Sequence, residues 1–217
     1  MELLLRLITT AAAVTGAWVA VSGLQTWRAQ LIGKTEYELA RRLLRGALEV
    51  REQIAVVRGP FMSAGEMSAA LTEEAGEKEP NVSDSEQLKK ATGLVYNRRW
   101  SGVSKAMSDL RLDILEAEVI WGEPIKAAHR RLSGCVAELQ TSLITYLRAP
   151  YNRPLQNMEQ HFAVVYQISE DPTKDPFKAK VADAVGEFER MLRPHLSVGN
   201  GVRVVTRANA IQQPNER

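Results

Sequence analysis

Apolar residues recur along the chain at helical spacing, separated by short breaks of Gly and Pro. From Leu7 to Trp27, between Arg6 and Arg28, 21 consecutive residues carry no formal charge. As a helix they extend about 31 Å, the thickness of a bilayer's hydrocarbon core. Trp27 ends the run beside Arg28, where an amphipathic indole suits the headgroup level. The pattern predicts a transmembrane anchor over residues 1–29. Two other readings fit the same run. One is a cleaved signal peptide using Ala20-Val21-Ser22, although its n-region carries only Arg6 and the amine against Glu2. The other is an unusually long soluble core helix.

Past the anchor, the pattern continues as helix from Gln30 to Arg58. Leu39, Leu43, Val50, Ile54 and Val57 mark its apolar stripe, and Ala40, Leu44, Ala47 and Leu48 widen it beyond what one partner needs. Glu38 and Arg42 are spaced for an i,i+4 ion pair. Gly59-Pro60 stops the helix. Residues 62–85 read as a flexible acidic loop, with a short helix near Glu66 to Ala75 as an alternative.

The clearest periodicity follows. Tyr96, Trp100, Val103, Met107, Leu110, Ile114, Ala117 and Trp121 alternate spacings of four and three, a heptad-like seam for helices packed side by side. Leu112, Leu115 and Val119 lie beyond the seam and predict a second packed face. After Gly122-Glu123-Pro124 the same spacing returns at Ile125, Ala128, Leu132, Cys135, Leu139, Ser142 and Tyr146. A reversal and a kinked continuation both fit that break.

Pro154 to Ile168 reads as a shorter helix with Leu155, Met158, Phe162 and Val165 inward, although Ala163 to Tyr166 has some strand character. Asp175-Pro176 is a helix start, with Asp as N-cap and Pro at the first helical position. Phe177, Val181, Ala184, Phe188 and Met191 then face inward until Arg193-Pro194. Residues 197–217 read as a disordered tail, with Val202 to Val205 as a candidate strand. The expected fold is all-α: an N-terminal transmembrane helix continuing into a cytoplasmic antiparallel helical bundle over 30–196.

Charge sets orientation. Arg28, Lys34, Arg41, Arg42 and Arg45 follow the anchor, against Arg6 before it. The positive-inside rule places the N-terminus outside and the body in the cytoplasm of a single-pass inner-membrane protein. Arg41, Arg42 and Arg45 are candidates for contact with an anionic membrane surface. Ala12, Gly16 and Ala20 form a small-xxx-small ladder, a candidate homodimer face within the bilayer. An Ala-rich segment also produces such spacings by composition alone.

Overall charge is near balance, 28 basic against 26 acidic residues, which argues against a nucleic-acid partner. One cysteine, Cys135, excludes an intrachain disulfide and a cysteine-based zinc site. His129, His161 and His195 have no helical partner at ligand spacing. Glu116 and Glu118 are candidate acid–base carboxylates, but a two-residue spacing splays them, and an ion pair of one with Arg111 or Arg130 is the competing role. No phosphate loop or nucleophile elbow occurs, and no cofactor is expected.

Tyr37-Glu-Leu-Ala-Arg-Arg-Leu-Leu-Arg45, Val50-Arg-Glu-Gln-Ile-Ala-Val-Val-Arg-Gly-Pro-Phe61 and Leu115-Glu-Ala-Glu-Val-Ile-Trp-Gly122 resemble stretches of a group of uncharacterised bacterial membrane-anchored helical proteins. The resemblance implies a bacterial, membrane-anchored helical protein and carries no activity or functional residue. The expected function is a membrane-tethered scaffold without catalytic activity, partnered by the lipid membrane, an unknown protein and a candidate second copy. The alternatives are a surface binder of anionic lipid or nucleic acid through Arg28 to Arg58, and an enzyme using a buried carboxylate.

Overall fold

The computed structural model describes residues 2–75, 85–149, 158–167, 169, 171 and 173–196; within these, the side chains of 3–14, 17, 29, 74–75 and 85–86 are not described. The helices are α1 (Glu2–Arg58), α2 (Ala64–Ala75), α3 (Ser85–Trp121), α4 (Glu123–Arg148), α5 (Met158–Val165) and α6 (Pro176–Leu196). No strand occurs among the described residues, so the all-α expectation holds. The chain divides into two compact units, Met1–Arg41 with Arg193–Arg217, and Arg42–Leu192.

In the first unit, Leu39 and Ala40 are buried, while Trp18, Val19, Val21, Leu24, Trp27, Leu31 and Ile32 are exposed. His195 Nδ1 lies 3.3 Å from Glu36 Oε2. Among the described residues, no helix is long and apolar enough to cross a membrane. They therefore give the expected transmembrane anchor no support, and most of the side chains in its first half lie outside the described residues.

In the second unit the predicted stripes form the core. Leu43, Ala47, Val50, Ile54 and Val57 of α1 are buried, as are Tyr96, Val103, Leu110, Ile114 and Ala117 of α3. Contacts between the two helices run in opposite sense: Arg42 reaches Asp113 and Glu116, Gly46 lies against Leu110, and Arg99 reaches the Val56 carbonyl. Gly46 makes the approach close, since a Cβ there would sit 3.1 Å from Leu110 Cδ1.

The break at Gly122 is a reversal. Gly122 has φ 67°, the left-handed conformation that glycine adopts without steric cost, and its N–H donates to the Glu118 carbonyl at 3.0 Å. Pro124 sits in the first turn of α4, where its missing N–H costs no helix hydrogen bond. The helices then run back along each other, bringing Tyr146 near the end of α4 to 6.3 Å from the Tyr96 ring. The predicted α4 seam is buried from Ile125 to Ser142. Opposite it, Phe177, Val181, Ala184, Val185, Phe188 and Leu192 of α6 are buried, and Arg131–Glu187 and Lys180–Glu138 pairs join the two helices in antiparallel sense.

Several expectations change. The stretch read as an acidic loop holds α2, whose Ala70 and Leu71 are buried; 76–84 lie outside the described residues. Arg42 turns to α3 instead of Glu38, and Glu38 pairs with Lys34 at 4.0 Å. Ala40 and Ala47 are buried and Leu44 and Leu48 half-buried, so the surplus face of α1 belongs largely to the protein's own core. Of the helix expected over Pro154 to Ile168, α5 spans Met158–Val165, while 154–157 with Leu155, and Ile168, lie outside the described residues; Phe162 is exposed and stacks on Tyr166 at 4.6 Å. α6 runs past Arg193-Pro194 to Leu196. The tail and its candidate strand lie outside the described residues.

Candidate functional site

Two arginines whose partners the sequence does not show tie the second unit together. Arg58, the last residue of α1, is 3% exposed and donates to both oxygens of fully buried Asp175, at 3.0 and 2.9 Å. It also donates to the carbonyls of Ala163, Val164 and Tyr166 around the C-terminal end of α5, where helix carbonyls lack helical partners. Asp175 in turn accepts from the Lys178 N–H and caps α6. The Arg58 guanidinium lies 4.9 Å from the centre of the Phe177 ring. Arg99 plays a similar part for α2: it holds Glu66 through two 2.8 Å bonds and donates to the carbonyls of Gly59 and Phe61.

A polar and aromatic cluster joins α4 to α5. Tyr166 donates to the Tyr146 hydroxyl at 2.8 Å, and the Tyr146 ring meets the edges or faces of Tyr96, Phe162 and Tyr166. Burial, then the hydrogen bond to Tyr166, pushes the Tyr146 hydroxyl up to about 12; burial pushes Tyr166 up to about 12 as well. His161 Nδ1 lies 3.1 Å from the buried Ser142 Oγ. These phenols stay protonated near neutrality, and Ser142 is closed to substrate. The cluster's chemistry suits packing rather than group transfer.

The carboxylates expected as acid–base candidates are not buried. Glu116 pairs with Arg42 at 2.6 Å and Glu118 with Lys126 at 2.7 Å, so neither meets Arg111 or Arg130. Arg130 pairs with Glu123. Cys135 is buried as expected for a small hydrophobe, and burial pushes its thiol up, away from thiolate chemistry. His129, His161 and His195 are half-buried on different helices. Among the described residues, no group of three His, Cys, Asp or Glu is placed to hold a metal.

Of the basic cluster, Arg41 is exposed, while Arg42 and Arg45 are not bare. The hydrogen bond that Arg42 donates to Asp113 raises the Arg42 guanidinium above its ordinary value. Arg42 and Arg45 line a groove of about 460 Å³ between α1 and α3, where Glu49, Asp109 and Asp113 offset them. Gly16 and Ala20 are exposed, and the Ala12 side chain lies outside the described residues.

What remains is the outer face of α3. On the side away from the buried Val103, Leu110, Ile114 and Ala117, the helix presents Asn97, Ser101, Ser104 and Ser108, then Leu112, Leu115 and Val119. The first part opens into a groove of about 560 Å³ beside α2, walled by Ala70, Glu73, Arg98 and Trp100. The second part is a bare apolar stripe: Leu112 is 67% exposed, Leu115 56% and Val119 87%. The sequence reading expected these three to be packed; they are exposed, because α1 and α4 pack on the other sides of α3 and α2 reaches only its first half.

No family model, curated protein or solved structure matches the chain. Its own residues then carry the functional reading.

Proposed function

We propose that the chain is a membrane-tethered helical interaction protein without catalytic activity, held in a bacterial inner membrane by its N-terminal helix with the body in the cytoplasm. The observation that carries the interaction reading is the bare stripe of Leu112, Leu115 and Val119. Three large apolar side chains one helical turn apart gain nothing in water, and a partner surface accounts for them.

The tether is supported by the charge-free run from Leu7 to Trp27 and by the excess of basic residues after it. Trp18, Val19, Val21 and Leu24 present apolar surface outward, as a lipid-facing helix requires. The hydroxyls of Ser22 and Thr26 donate to carbonyls one turn back, at 2.9 Å each, so neither needs water.

Alkaline extraction of bacterial membranes tests the tether, and a photo-crosslinking residue at Leu115 tests the interaction. The expected result is full-length protein in the pellet, activity of a cytoplasmic reporter fused after Arg217, and discrete adducts from position 115 but not from exposed Thr141. Release from the membrane, an N-terminus trimmed near Ser22, or an exported reporter would overturn the tether. Absence of adducts at 115 would overturn the interaction reading.

A further inference from the structure

We propose that the bare stripe on α3 is a homodimer surface, on which α3 of a second copy packs parallel and in register. The proposal rests on the membrane-tethered reading, since two copies inserted into one bilayer meet at a raised effective concentration; the parallel sense is argued from the charges that flank the stripe.

The stripe has the spacing of a two-stranded seam. Leu112 and Val119 are seven residues apart with Leu115 between them, so identical residues stack against each other in three successive layers. Before the apolar layers the seam positions are Ser101, Lys105 and Ser108, all exposed; Lys105 is ion-paired to Asp109 of its own helix, and Ser108 is small beside the first leucine layer. The two sides of the stripe carry charge in the arrangement a parallel pair uses. Arg111 flanks one side, and is exposed with no ion-pair partner among the described residues. Glu116 flanks the other, five residues on, the offset at which side chains meet across a parallel two-helix seam. Arg42 occupies Oε2 of Glu116, leaving Oε1 for Arg111 of the second copy. Two-fold symmetry makes that contact twice.

The remaining acidic flank does not oppose the pairing strongly. Glu118 and Glu123, which would face each other across the seam, are neutralised within each chain by Lys126 and Arg130. Three apolar layers fall well short of the roughly 800 Å² per partner of a stable free interface. Sharing one membrane supplies the missing effective concentration. The dimer therefore belongs to the membrane and dissociates on dilution into detergent.

Disulfide trapping of the full-length chain in its native membranes decides this. The background is Cys135→Ala, and single cysteines replace Leu112, Leu115 or Val119, with Thr141→Cys as the collision control. The expected result is a covalent dimer at all three stripe positions, far above the control. In the Leu115→Cys chain, Arg111→Glu should lower dimer yield about tenfold, by replacing two attractions with two repulsions. Because these residues are exposed, an unchanged far-ultraviolet spectrum will show that each variant still folds.

A dimer at Leu115 alone, with the Leu112→Cys and Val119→Cys chains crosslinking to each other only when co-expressed, would mean antiparallel pairing and overturn the proposal. Yields no higher than the control would overturn it as well. Adducts to other proteins at position 115 without disulfide dimers would leave the interaction reading standing and remove only the second copy. Loss from the pellet on alkaline extraction would mark failure of the tether instead.

Discussion

Arg58 and Asp175, 117 residues apart in sequence, meet as a fully buried ion pair at 2.9 Å. Around it the end of α1, the end of α5 and the start of α6 are joined by one guanidinium. A charge in such a place is costly to bury, and good geometry with every donor occupied is what makes it tolerable.

Arg58→Met leaves the Asp175 carboxylate buried and the carbonyls of Ala163, Val164 and Tyr166 without their donor. The expected cost is about 3–5 kcal/mol. Asp175→Ser keeps an N-cap oxygen for α6 but leaves the guanidinium unpaired. Combining the two removes both charges, so the double variant should be markedly more stable than the sum of the single losses. Urea midpoints of the three variants check this, and additive losses would refute the coupling.

Glu66 holds α2 through Arg99, whose hydrogen bonds keep its carboxyl below the ordinary value of 4.5. A carboxyl depressed on folding contributes stability at pH above its unfolded value, and that contribution fades as pH falls through the folded one. Acidification should therefore loosen α2 first. Because Glu66 is partly exposed, Glu66→Gln should cost only about 1 kcal/mol. Its signature is faster amide exchange across 64–75 at neutral pH, with little change in α4.

Burial, and then the nearby positive charge of Arg111, lowers His129 below the ordinary imidazole value of 6.5. The unfolded chain takes up that proton first. Stability is thus complete above about pH 6.5 and declines as pH falls below it, toward the folded value. Urea midpoints between pH 7.5 and 5.5 should fall less steeply in His129→Gln than in the parent. Equal slopes would assign the dependence to other groups.

Tyr146 and Tyr166 titrate near 12, where a free phenol titrates near 10. The folded state resists losing these protons, so their contribution is intact below pH 10 and is lost as pH rises toward 12. Ultraviolet titration should show fewer tyrosinates at pH 10.5 in the folded chain than in urea, with Tyr96, also raised by burial, adding to the difference. Tyr166→Phe removes the hydroxyl bonded to Tyr146, and should bring the Tyr146 transition down.

Much of this architecture is written in the order of the residues. Apolar side chains at spacings of three and four force a helix to bury one face, and most of those of α1, α3, α4 and α6 are buried where the spacing puts them, with Trp100, Met107, Trp121, Tyr146 and Met191 half-buried. Gly59-Pro60 and Asp175-Pro176 mark helix ends because proline lacks an N–H and aspartate supplies a cap, both local effects. Cys135 falls inside its seam for the same reason. α2 was harder to read, since its acidic residues suit a loop as well as a helix. Arg99 on α3 fixes it, a contact no local window contains.

Periodicity says that a face is apolar; what covers it depends on where the rest of the chain goes. Leu112, Leu115 and Val119 read as a second packed face, yet the reversal at Gly122 lays α4 along the other side and leaves them in water. Arg58 and Asp175 each read locally, one as the end of a helix and the other as a cap. Their pairing exists only because the chain returns α6 to the end of α1. Helices, ends and core faces thus followed from the sequence by itself, since local geometry and the aversion of apolar groups for water act within a few turns. The tertiary structure alone decided which charges meet, which face stays bare and which way the chain turns, because those depend on contacts between residues a hundred positions apart.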